Sequence, residues 1–123
     1  MSNHVTLVSK RFAVMERARK VAALETMITE FERIARQLEQ EIALEEKLSG
    51  VHDPTSARYS TLAKATAQRH ANLLRSVAEL GTRLNIAKHE HDQAQAELAA
   101  IEPSPEANQS RKEKQTSPEA RTN

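Results

Sequence analysis

The chain has 123 residues, enough for one domain at most, and it carries 28% charged residues against 2% aromatics, with two Gly and no Cys. That balance leaves little for a sheet or a thick core, and it excludes disulfides, a thiolate nucleophile and a Cys-ligated zinc. The formal net charge of +1 gives the whole chain no nucleic-acid field, and no apolar run approaches the roughly 20 residues of a membrane-spanning helix.

Ala, Glu, Leu, Arg, Lys and Gln dominate, which are strong helix formers. Met1–Ser9 lacks the apolar centre of a secretory signal, so a cytosolic protein is expected. The spacing predicts a first helix over about residues 6–48, with Asn3, Thr6 and Ser9 as candidate N-caps. Its apolar stripe steps alternately by four and three through Val14, Arg17, Val21, Leu24, Ile28, Phe31, Ala35, Leu38, Ile42 and Glu45. With Val14 at a, residues Leu24, Phe31 and Leu38 fall at d, the narrow seam of a coiled coil.

A breaker follows at residues 49–58. Gly50 suits a left-handed C-cap, Lys47 complements the negative helix end, and Asp53-Pro54 turns the chain out of helical geometry. A second helical block starts at about Ser56, its helix at about residue 59, and runs to about Glu102. Its stripe is Tyr59, Ala63, Thr66, His70, Leu73, Val77, Leu80, Leu84, Ala87, His91, Ala94, Leu98 and Ile101. Gly81 lies off that stripe. Pro103 and Pro105 stop the pattern, and residues 103–123 are polar and charged enough to be read as a disordered tail.

Neither helix can bury a seam alone. The expected fold is therefore all-α: a long antiparallel two-helix coiled-coil hairpin with a disordered C-terminal tail. Pairing residues whose numbers sum to 108 sets every a position level with a d position: Val14 with Ala94, Val21 with Ala87, Leu24 with Leu84, Ile28 with Leu80, Phe31 with Val77, Ala35 with Leu73. Charge agrees. Residues 1–20 set five bases against Glu16, net +4, and residues 21–48 set seven Glu against three bases, net −4. Residues 58–80 are net +3 and residues 81–102 net −2, so antiparallel folding lays each basic half beside an acidic one. Such pairs choose orientation and register more than they stabilise.

Several seam positions are polar: Arg17, Glu45, Thr66, His70 and His91. Several apolar residues lie off the seam: Phe12, Met15, Met27, Ile34, Leu44, Leu74 and Ile86. Met27 and Ile34, both at g, read as flanking the core, while Phe12, Met15 and Leu74 read best as contacts to a partner. His89 and His91 are two apart, so they point to different faces and do not form a helical metal pair; no metal or other cofactor is expected. His70 reads as a polar layer that sets register, and His91 as a seam residue opposite Arg17. Glu25, Glu32, Glu39 and Glu46 repeat every seven residues as a charge stripe of the coiled coil, not as an acid/base pair. With no phosphate loop and no enclosed pocket in such a fold, the chain is read as a binding protein rather than an enzyme. The basic run Lys10, Arg11, Arg17, Arg19 and Lys20 reads as a solvated face or a protein-docking patch, with nucleic acid or anionic lipid as the less expected alternative.

Residues Lys10-Arg11-Phe12-Ala13-Val14 to Arg17-Ala18-Arg19-Lys20-Val21-Ala22 and Ile28-Thr29-Glu30-Phe31-Glu32-Arg33-Ile34 resemble the first helix of the flagellar export protein FliJ family, alphaproteobacterial type. The loop Val51-His52-Asp53-Pro54-Thr55, Tyr59, and the stretch Ala63-Lys64-Ala65 through Gln68-Arg69-His70-Ala71-Asn72-Leu73-Leu74 are similar to the same branch. The resemblance covers about residues 8–102; His70 stands where the family pattern would have a second basic residue. The resemblance implies a non-enzymatic coiled-coil stalk of the flagellar type III export apparatus, cytoplasmic and peripheral at the cytoplasmic face of the basal body. Its implied partners are the hexameric export ATPase, the cytoplasmic domain of the export gate and export chaperones. It further implies that Lys10, Arg11, Phe12, Met15 and Arg19 face the ATPase, and that Gln68, Arg69, Asn72 and Leu74 face the gate or chaperones. The alternative is a generic coiled-coil scaffold or tether, or the stalk of a virulence-type secretion system.

Overall fold

The computed structural model describes residues 3–102; the expected tail at residues 103–123 lies outside the described residues. The protein is all-α. Helix α1 (Asn3–Ser49) and helix α2 (Thr61–Ile101) pack against each other as an antiparallel coiled-coil hairpin, with no strand among the described residues. The chain divides into two compact units, Met1–Arg19 with Lys88–Asn123, and Lys20–Ala87.

Helix α1 is already helical at Asn3, so Thr6 and Ser9 lie inside it rather than capping it. No Gly or Pro precedes residue 50, and nothing in residues 3–9 interrupts the helix. It ends at Ser49 because Gly50 takes φ +75°, the left-handed conformation that a side chain disfavours, and its N–H donates to the Glu46 carbonyl at 2.9 Å.

The connection is longer than expected, residues 50–60 rather than 49–58, and α2 begins at Thr61. Asp53 organises the turn: its Oδ1 accepts from the Thr55 N–H at 2.9 Å and from the Thr55 hydroxyl at 2.7 Å. Those two bonds, the hydroxyl first, hold the Asp53 carboxyl below its ordinary range. The Ser56 carbonyl then accepts from the Tyr59 N–H at 3.1 Å, and the chain turns again before the helix starts. The true N-cap is Ser60, whose Oγ accepts from the Ala63 N–H at 3.1 Å while donating to Glu45 Oε1 at 2.9 Å. Tyr59 is therefore a loop residue, half-buried, whose hydroxyl donates to Glu46 Oε2 at 2.7 Å.

In the unit Lys20–Ala87 the seam forms one apolar cluster of Leu24, Leu80 and Ala87 with Val21, Ile28, Phe31 and Leu84 packed against it. The expected layers Val21–Ala87, Leu24–Leu84 and Ile28–Leu80 all draw their members from this cluster. Ala35, Leu38, Ala63 and Thr66 are buried as well, and Ile42, Leu73 and Val77 are half-buried. Ala63 is fully covered, yet no large side chain is, among the described residues. Two helices enclose a short side chain completely, whereas Leu, Ile and Phe reach past the seam into water. Thr66 is the buried polar residue among the described residues, and its hydroxyl donates back to the Leu62 carbonyl at 2.9 Å.

In the unit Met1–Arg19 with Lys88–Asn123, Ala94 is buried and Leu7, Val14, His91 and Leu98 are half-buried. Two expected seam residues are not covered. Arg17 is exposed, because its long side chain carries the guanidinium outward, where its charge helps hold the Glu97 carboxyl ionised. Ile101 is 44% exposed at the last turn of α2 and lines an open groove with His4, Thr6 and Leu7.

Candidate functional site

Packing decides which side chains the hairpin offers to a partner. The basic run near the start of α1 is largely engaged within its own unit. Lys10 Nζ donates to Glu97 Oε2 at 2.9 Å, Arg11 Nε to Glu102 Oε1 at 2.7 Å, and Arg19 to Glu16 Oε1 at 2.8 Å. The Lys10 hydrogen bond, then the Lys10 charge, holds the Glu97 carboxyl below its ordinary range. Charge attracts charge inside the hairpin here, which leaves the apolar residues as the distinctive exposed feature.

Phe12 is 62% exposed and Met15 is also exposed. Val5 and Val8, which sequence reasoning missed, are exposed on the same helix. The four are spaced three, four and three apart, so they form one stripe along α1, offset from the half-buried Leu7 and Val14. The signal was present in the sequence as a second heptad phase. The stronger seam phase masked it.

The second set of expected site residues lies on α2 in the other unit. Asn72 Oδ1 accepts from Gln68 Nε2 at 3.4 Å and from an Arg75 nitrogen at 3.1 Å. Arg69 is exposed, and so is Leu74. Gln68 and Asn72 are thus brought together on one surface, with Arg75 joining them, a residue not singled out from the sequence. Near the bend Leu44, Leu48 and Leu62 are exposed, Leu48 at 73% the most open of the three. Ile86 borders a groove with Lys20, Ala23, Leu24 and Arg83. Of the two g-position residues expected to flank the core, Ile34 is half-buried, whereas Met27 is exposed.

The polar seam positions find partners. His70 Nε2 lies 3.0 Å from Glu39 Oε1, rather than merely facing Leu38, and Glu45 accepts from Ser60. Every buried side-chain N or O among the described residues has a hydrogen-bond partner, so none is left aimed into a site. Among the described residues no group of three His, Cys, Asp or Glu is placed to hold a metal ion, and no helix is long and apolar enough to cross a membrane.

Fold and surface together define a class: an antiparallel helical hairpin with apolar side chains exposed off its seam and, among the described residues, every buried side-chain polar atom hydrogen-bonded. Comparison with known proteins adds no neighbour, since no family model, no curated protein and no solved structure matches the chain.

Proposed function

We propose that this chain is a non-enzymatic coiled-coil stalk of the flagellar type III export apparatus, binding the export ATPase ring and coupling it to the export gate and to substrate chaperones. The observation that carries the reading is the exposure of Phe12 and Met15 beside a basic run that is paired within its own unit. An exposed aromatic and a Met on a rigid helix are the side chains a docking partner would bury. They lie in the stretch whose sequence resembles the FliJ family, where contact with the ATPase would be expected. On this reading Gln68, Arg69, Asn72 and Leu74 serve the gate or chaperones, and ATP hydrolysis belongs to the ring. The protein would act in the cytoplasm, at the base of the flagellum.

Copurification with the flagellar export ATPase is the direct test, with Phe12→Asp expected to weaken it. No copurification, together with normal swimming of a deletion strain, overturns the reading. A generic tether or a virulence-type stalk is the second reading. It is favoured by the separate leucine set at Leu44, Leu48 and Leu62, which gives each unit its own exposed apolar residues. Neighbouring genes for flagellar rod and ATPase proteins would separate the two.

A further inference from the structure

We propose that the start of α1 is a self-association surface, on which a second copy of this chain docks in parallel through Val5, Val8, Phe12 and Met15. The stripe has the three-four-three spacing of a coiled-coil seam, and its four members are 54%, 49%, 62% and 54% exposed. It is a second seam on a helix whose first seam is already occupied by α2.

The margins of the stripe select the occupant. Arg11 lies on one margin and Glu16 on the other, five residues further along. In a parallel two-stranded coiled coil the residue before one core position pairs with the residue five further on in the mate. Two-fold symmetry therefore sets each Arg11 against the Glu16 of the second copy, twice over. An antiparallel arrangement pairs like margins instead, so with Val5 level with Met15 it would set Arg11 against Arg11 and bring neither Arg11 to a Glu16. The present partners of these side chains, Glu102 for Arg11 and Arg19 for Glu16, are surface pairs that exchange readily. The phase of this second seam also fixes where the contact stops. With Val5 and Phe12 at a, the next a positions are the polar Arg19 and Thr26, and two Arg19 side chains would face each other. An interface confined to about four side chains per copy sits at the small end of specific contacts, about 1,000 Å² in total, so the dimer is reversible. It covers Phe12 and Met15, so self-association and docking of any other partner there exclude each other. The inference does not rest on the flagellar reading, and its test uses the purified chain alone.

Sedimentation equilibrium of the full chain provides the test. The apparent mass is expected to rise from 13.8 kDa toward twice that value between micromolar and millimolar protein. Phe12→Asp, at an exposed position, is expected to hold the mass at the monomer value with an unchanged helix signal. Arg11→Glu should weaken association, and Arg11→Glu with Glu16→Arg should restore it. Within one molecule that double change sets a carboxylate at position 11 beside Glu102 and a guanidinium at position 16 beside Arg19, so only pairing between copies explains a rescue. Because the chain has no Cys, Val8→Cys should give a cross-linked dimer on oxidation while Leu44→Cys does not. A monomer at every concentration, a dimer indifferent to Phe12→Asp, or a double variant no better than Arg11→Glu would each overturn the proposal.

Discussion

The Lys10 ammonium and the Glu97 carboxylate meet at 2.9 Å although 87 positions separate them in the chain. This contact ties the start of α1 to the last turns of α2 and fixes their antiparallel sense within that unit. Arg17 adds to the field around Glu97, after the Lys10 hydrogen bond and the Lys10 charge. The carboxyl is thereby held ionised to lower pH than a free glutamate.

A pH dependence follows with a definite sign. Glu97 has a folded-state pKa below the ordinary 4.5, so its contribution to stability is fully present above the unfolded value and is lost as pH falls through the folded one. Titration of the Glu97 carboxyl by carbon NMR is expected to show a midpoint under 4.5 that rises in Lys10→Met. Salt should raise it too, since the pair is exposed. Equal midpoints in the two proteins would mean that the contact is absent in solution.

The seam makes its own prediction. Ile28 and Leu80 belong to one packed cluster, so Ile28→Cys with Leu80→Cys should oxidise to an intramolecular disulfide. The readout is a monomeric band with altered mobility that reverts under reductant. Cross-linked dimers in its place would indicate helices from two chains pairing along this seam.

Burial separates leucines that the composition treats alike. Leu80 is 5% exposed and Leu44 lies open to water. Leu80→Ala is expected to destabilise by about 2–3 kcal/mol, the lower part of the range for buried leucines, because a two-helix seam relaxes around a cavity more readily than a closed core. Leu44→Ala should change stability by roughly 0.5 kcal/mol or less. Thermal unfolding followed by circular dichroism distinguishes the two, and similar melting shifts would contradict the packing described.

The two glycines should respond in opposite directions to the same substitution. A methyl group at Gly81 meets nothing within 4 Å in the middle of α2, so Gly81→Ala is expected to stabilise by about 1 kcal/mol. Gly50 has equal space but a φ of +75°, and Gly50→Ala should cost about 1–2 kcal/mol through backbone strain. Chemical denaturation of the two variants against the parent is a sufficient check.

The seam and its register were readable because a heptad period imposes one solution on both helices. Choosing Val14 as an a position leads to Val21, Leu24 and Ile28 on one side and to Leu80, Leu84 and Ala87 on the other, the residues found packed together. The opposed charge halves were readable in the same way, with Lys10–Glu97 and Arg11–Glu102 as examples. The start of α2 was less readable. Tyr59 continues the stripe in phase, so the pattern ran through it, but Ser60 supplies a better cap and holds the first turn two residues later. Glu45 read only as a polar seam position because its partner, the Ser60 hydroxyl, comes from the same overlooked cap. Among the expected site residues, the period could show that Phe12 and Met15 lie off the seam. It could not show that Lys10, Arg11 and Arg19 would be occupied by Glu97, Glu102 and Glu16. Long charged side chains choose partners by reach, which spacing does not encode.

Ser60 sets the angular phase of the first turns of α2. One hydroxyl fastens the first turn of α2 and, at the same time, the last turns of α1, so the two helices inherit a common zero at the bend. A residue inserted among positions 51–58 can bulge outward and leave that zero untouched. A residue inserted just after Ser60 sets that cap against the seam. Keeping the cap would rotate the following helix by about 100° and swing Ala63, Thr66 and Leu80 out of the seam, so the chain is expected to give up the Ser60 contacts, a cap of about 1 kcal/mol, and keep the seam in phase.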